Sequence, residues 1–213
     1  MHIPDGILPI SVTGAGYAVT AATIWYSIRK IQQKENPRED VPKASLLTAA
    51  FFVASWIHIP MPLASVHLIL NGLLGAMLGY YAFPAILIGL FFQAVMFGHG
   101  GLTTLGINAV IMGMPALLAH YIFRLRKWGG EESRRKTGAF GFAAGVLATG
   151  VSVALFIVIL INNIQTDINV ISERTATLAL AAAYIPIIFI EGAITALVTT
   201  YLQRIRPKIL DGV

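Results

Sequence analysis

The chain has 213 residues, of which 56% are hydrophobic and only 12% charged, with a mean hydropathy of +0.75. A soluble domain carries about a quarter charged residues, so this composition excludes an ordinary soluble globule and points to lipid. The chain contains no cysteine, which excludes disulfides, thiolate metal sites and thiol nucleophiles.

In chain order, hydrophobic segments are predicted at roughly 7–29, 44–58, 64–81, 84–98, 105–123, 138–162 and 176–202. Most have the length needed to cross ~30 Å of hydrocarbon at about 1.5 Å per residue; the second and fourth are short. The fold class expected is all-α, a polytopic integral membrane protein of about seven transmembrane helices forming one domain over 1–213. Polar connections are expected at 30–43, 124–137 and 163–175. Arg29, Lys30, Lys34, Arg38 and Lys43 fall around the first of these. Arg124, Arg126, Lys127, Arg134, Arg135 and Lys136 fall in the second, and Arg204, Arg206 and Lys208 follow the last segment. With seven crossings these groups share one side, and only Arg174 lies opposite. The positive-inside rule then makes 30–43, 124–137 and the C-terminus cytoplasmic, with the N-terminus and 163–175 outside. The multi-pass location expected is the inner or plasma membrane of a bacterial or archaeal cell. Basic residues so placed set orientation and meet anionic lipid, which argues against nucleic acid as a partner.

Four of the five histidines, His2, His58, His67 and His99, map to the outer end; His120 maps to the cytoplasmic end. Clustered imidazoles in a cysteine-free chain suggest a nitrogen-rich metal site. The opening MHIPDG, residues 1–6, sharpens this. The Met1 α-amine, the main-chain nitrogen of His2 and its Nδ1 can grip one cation in a five-membered and a six-membered chelate ring. One further imidazole completes a square, a geometry suited to Ni(II) or Cu(II) and open to Co(II). Pro4 and the Asp5-Gly6 turn signal fold the terminus back. The alternative is a terminus resting on the surface. In WIHIPMPLASVH, residues 56–67, Pro60 and Pro62 break any helix and leave irregular backbone lining a depression. His67, Asn71 and Gly75 are spaced for one helical face, which makes His67 the first choice for fourth ligand and Asn71 a residue that orients it. Alternatively, His67 caps a helix and Asn71 bonds a neighbouring one. His99 in FGHGGLTTLG, residues 97–106, suits a lid or a supporting role, and His58 an interface. Glu191 is the one acid within a span, and a structural or docking role is favoured for it over metal transfer.

MHIPDG, HLILNGLLGAMLG at 67–79 and FPAILIGLFFQAVMFGHGGLTTLGINAVIMG at 83–113 resemble the CbiM/NikM family. Its members are the substrate-capture components of energy-coupling-factor cobalt and nickel importers. The resemblance is strong through about residue 115. It implies that the metal is held by the Met1 amine, the amide and imidazole nitrogens of His2, and His67, with seven helices and an outside N-terminus. The transported substrate would be Ni2+ or Co2+, with no organic cofactor. The implied partners are a transmembrane coupling protein, cytoplasmic ATPases and a small accessory membrane subunit. No GxxxxGK[ST] phosphate loop occurs in the chain, so ATP hydrolysis would belong to those partners and this chain is not read as an enzyme. Two readings stand beside this one: a membrane metalloenzyme, which needs an open coordination position and a base, and a stand-alone secondary metal carrier, for which Glu191 is the sole candidate coupling residue.

Overall fold

In hydrocarbon every main-chain N–H and C=O must find a partner within the protein, which is why long apolar runs fold as helices. The computed structural model describes residues 2–60, 65–128, 133–163 and 170–211. Its long helices are α1 (Ile10–Gln32), α2 (Val41–Ala54), α3 (Asn71–Leu78), α4 (Ala82–Phe97), α5 (Leu105–Arg124), α6 (Arg134–Asn162) and α7 (Val170–Ile205), followed by the short α8 (Lys208–Asp211). A small antiparallel hairpin, β1 (His58–Pro60) with β2 (Ser65–His67), joins α2 to α3, with His58 opposite His67. The chain is thus an all-α membrane protein. Among the described residues, four stretches are long and apolar enough to cross a bilayer: Asn71–Phe97, Leu105–Lys127, Arg134–Asn162 and Arg174–Ile205.

The third predicted segment needs correction. Its helical face is expected to begin at His67, but β2 occupies Ser65–His67 and α3 starts only at Asn71. Between them Leu70 takes a left-handed conformation (φ 55°), and the Ile69 and Leu70 N–H groups bond to the Glu191 carboxylate on α7. His67 therefore does not share a helical face with Asn71 and Gly75. The connection expected at 163–175 is also shorter, because α7 begins at Val170; residues 164–169 lie outside the described ones. Arg126, counted among the orienting charges, is fully buried: its Nη2 donates to the Leu210 carbonyl at 2.8 Å, and its guanidinium lies 4.2 Å from the Phe123 ring centre.

Although Asn71–Phe97 is almost continuously helical, it is not one rod. A straight helix of that length would separate its ends by about 40 Å, yet the rings of His67 and His99 stand 5.3 Å apart. The reversal occurs at Gly79, whose φ of 58° and ψ of −124° lie outside any helix. At this turning end Tyr26, Tyr80 and Tyr121 form a chain of hydroxyls with 3.1 Å spacings, and His120 packs against Tyr80 and Tyr121. The bundle therefore has a histidine end and a tyrosine end.

Small residues bring the legs together. A Cβ on Gly75 would run into the Ala116 carbonyl of α5, so α3 and α5 touch main chain to main chain there. In lipid, where apolar burial gives helices little reason to associate, such close packing holds them. Gly75→Ala should therefore destabilise the protein by about 1–3 kcal/mol through overpacking. Gly14→Ala on α1, where an added methyl meets nothing within 4 Å, should not. Thermal unfolding in detergent compares the two; equal midpoints would refute the close approach.

Candidate metal centre

The beginning of the chain is pinned into the bundle by an amide that imitates a neighbouring strand. Asn108, in the first turn of α5, accepts from the Ile3 N–H through Oδ1 at 2.9 Å and donates to the Ile3 carbonyl through Nδ2 at 3.0 Å. Thr104 Oγ1 donates to the same carbonyl at 2.7 Å, and the Ile3 side chain is buried. Two residues on, the Asp5 carboxylate accepts from the main-chain N–H groups of Leu102, Thr103 and Thr104 and from the Thr103 hydroxyl. These donors lead into α5, where the helix dipole favours a negative charge. The hydrogen bond from the Thr103 side chain, with those from the backbone, holds the Asp5 carboxyl below its ordinary range. Asp5 thus does more than make a turn. Gly101 belongs to the same joint, because a Cβ there would occupy the space of the Asp5 carboxylate.

Held by its neighbour Ile3, His2 turns its ring inward. Its Nε2 pairs with Gln93 Oε1 of α4 at 2.8 Å. Burial above all, with the charge of the terminal amine and then the imidazoles of His99 and His67 as lesser causes, lowers the His2 pKa well below the usual value. The ring therefore stays neutral at physiological pH, as a metal ligand must be.

His67 is presented by the end of β2 and the turn after it. Its Nδ1 lies 2.9 Å from the Leu68 carbonyl, the Tyr184 hydroxyl meets its main chain, and Glu191 takes the Ile69 and Leu70 amides. Glu191 is fully buried and serves as main-chain anchor for this turn. Asn71 does not face His67: its Nδ2 donates to the Met112 carbonyl and Ser152 Oγ, tying the start of α3 to α5 and α6.

His99 arrives by a helix-ending motif. Gly98 takes the left-handed conformation (φ 62°), its N–H bonds to the Ala94 carbonyl, and the His99 N–H bonds to the Gln93 carbonyl. The bond from the Gly98 N–H to the Ala94 carbonyl is that of the αL helix-ending motif, which favours glycine at its first residue outside the helix. The ring centres of His2 and His99 are 4.1 Å apart, and those of His2 and His67 are 5.2 Å apart. The three residues offer ring nitrogens that all lie within 4.8 Å of one another. Of the predicted site residues, His2, His67 and His99 are brought together, Asn71 serves elsewhere, and Met1 lies outside the described residues. The side chain of His58 also lies outside them.

A family model described as "Cobalt uptake substrate-specific transmembrane region" matches residues 2–209. The chain belongs to the CbiM family. Among its relatives, a Haemophilus influenzae protein named for metal transport is 34% identical over 212 residues, covering 99% of this chain and 97% of that one. The cobalt transport protein CbiM of Sorangium cellulosum is 28% identical over 217 residues, covering 99% and 95%. A crystal structure of a truncated transition metal transporter shares the fold, with a TM-score of 0.69 and 23% identity, over 96% of this chain and 99% of that one. CbiM proteins are metal-transport components, which sets this chain apart from a metalloenzyme.

Sequence reading missed Gln93, Asn108 and Thr104. A signal existed for Gln93, the only amide in the apolar helix AFPAILIGLFFQAVMF. Asn108 occupies the same kind of position in α5.

Two measurements test these anchors. Glu191→Ala strands two buried N–H groups at about 1–3 kcal/mol each, so its thermal unfolding midpoint in detergent should fall clearly; an unchanged midpoint would remove Glu191 from this role. Because its folded pKa is lowered, Asp5 stabilises docking fully above the ordinary carboxylate range, and that contribution is lost as pH falls through the folded value. The protection of the Thr103 amide against hydrogen exchange should follow this course, and Asp5→Asn should abolish the pH dependence. A wild-type profile identical to that of Asp5→Asn would contradict the clamp.

Proposed function

We propose that this CbiM-family chain is the membrane-embedded capture subunit of an ATP-driven cobalt or nickel importer. It takes Ni(II) or Co(II) from the outer face through the Met1 amine, the His2 amide and imidazole nitrogens, and His67. The reading rests above all on the docking of His2, which brings a residue near the chain's beginning within 5.2 Å, ring to ring, of a histidine 65 positions later. Two nitrogens of the same residue, one main-chain and one imidazole, lie at the spacing of a six-membered chelate, and the preceding amine adds a five-membered one. Such tetragonal nitrogen donors suit Ni(II), which the intrinsic affinity order places above Co(II). His99, on a loop bounded by glycines, covers the site from the third side. Coordination displaces the His2 amide proton, so capture strengthens as pH rises.

The helices cross the plasma membrane of a bacterial or archaeal cell seven times, histidine end outside and tyrosine end in the cytoplasm. The reversal at Gly79 supports counting α3 and α4 separately, and the basic residues of 30–43 and 124–137 support the orientation. Uphill transport then requires partners: a transmembrane coupling protein, cytoplasmic ATPases and a small accessory membrane subunit.

Calorimetry with Ni(II) tests the ligand set. Wild-type protein should bind tightly, and both His67→Ala and a form carrying one extra residue before Met1 should lose tight binding. Wild-type affinity in either variant would overturn the assignment.

A further inference from the structure

Gln93 is a buried amide in an otherwise apolar helix, and its only hydrogen bond through the side chain among the described residues goes to His2. Its Oε1 lies 2.8 Å from His2 Nε2, while its own Nε2 is buried without a hydrogen-bond partner among those residues. An amide that leaves its two N–H donors unpaired in an apolar interior is there for its oxygen. A carbonyl oxygen can only accept, so the proton on the His2 ring must sit on Nε2. A neutral imidazole carries one ring proton, and with Nε2 protonated the lone pair is on Nδ1. Nδ1 is the nitrogen that can close a six-membered ring with the same residue's main-chain nitrogen; Nε2 is too far around the ring to do so.

We propose that Gln93 is the positioning residue that fixes the tautomer of His2, so that Nδ1 is offered to the metal before any metal arrives. The inference deepens the capture reading and depends on it for its purpose, although the tautomer itself does not. Gln93 also has a second hold on the site, since its main-chain carbonyl receives the His99 N–H. One residue of α4 thus sets the proton position on one histidine through its side chain and the starting point of another through its backbone. Only the first of these is changed by a side-chain substitution. A metal-binding imidazole whose other nitrogen is held by an acceptor is the usual arrangement, and loss of such an acceptor typically weakens affinity about 10–100-fold.

The test uses metal-free full-length protein labelled with 15N at histidine, with the His2 ring signals assigned by comparison with a His2→Ala sample. Wild-type His2 should show a protonated Nε2 and a bare Nδ1. Gln93→Met keeps the size of the side chain but has no oxygen, so an Nε2–H would be buried unpaired and the proton should move towards Nδ1. Gln93→Glu keeps an acceptor oxygen at the same place and should restore the wild-type pattern. Ni(II) affinity of the same samples should fall about 10–100-fold in Gln93→Met and recover in Gln93→Glu. A merely structural glutamine would alter unfolding temperature without moving the tautomer. The proposal is overturned if wild-type His2 carries its proton on Nδ1, or if folded Gln93→Met keeps both tautomer and affinity. If the tautomer follows Gln93 as stated while wild-type protein binds no Ni(II), Gln93 retains its positioning role and the capture reading is what fails.

Discussion

The pairing of the Asn108 amide with both main-chain groups of Ile3 is the contact on which the histidine cluster depends. A chain end ordinarily frays, because nothing offsets the entropy of ordering it. Here the side chain of α5 offers a donor and an acceptor at the spacing of a strand partner. Thr104 adds a third bond, and Asp5 ties the next residues to the loop that leads into α5. With Ile3 fixed on one side and Gln93 holding the ring on the other, His2 has little freedom left.

The three histidines come from distant parts of the chain, and each is held by polar groups of other elements. His2 is set by α4 and α5, His67 by the Glu191 carboxylate and Tyr184 of α7, and His99 by the glycine-ended last turn of α4. Polar groups inside a membrane bundle are costly unless paired. Glu191 meets that condition by accepting two main-chain amides, so its isolation from any basic residue in the sequence does not make it a transport acid. The left-handed Leu70 is sustained by the same pair of bonds. Rigid anchoring of this kind holds the three imidazoles in place through bonds of the fold itself.

Much of this was legible in the sequence and some was not, for physical reasons. The long apolar helices α1, α5 and α6 announced themselves by length and by the polar stretches between them. So did the gathering of His2, His67 and His99, because the order of the segments places them at one end of the bundle. The stretch SVHLILNG misled, because a short apolar run fits strand and helix equally well. What decides it is Glu191, 121 positions away from Leu70, which takes the amides a helix would have used. Gln93 and Asn108 were hidden for a similar reason. Each is a lone amide in a hydrophobic helix, and its meaning lies in a partner about 90 or more positions distant.

Anomalous scattering at the nickel edge, from crystals of the Ni(II)-loaded protein, is the most direct measurement of capture by the doubled-back chain end. One peak is expected beside the His2 and His67 rings, with the Met1 amine bonded to the same ion. A peak away from His2, or an ion bound to imidazoles alone with Met1 in solvent, would contradict it.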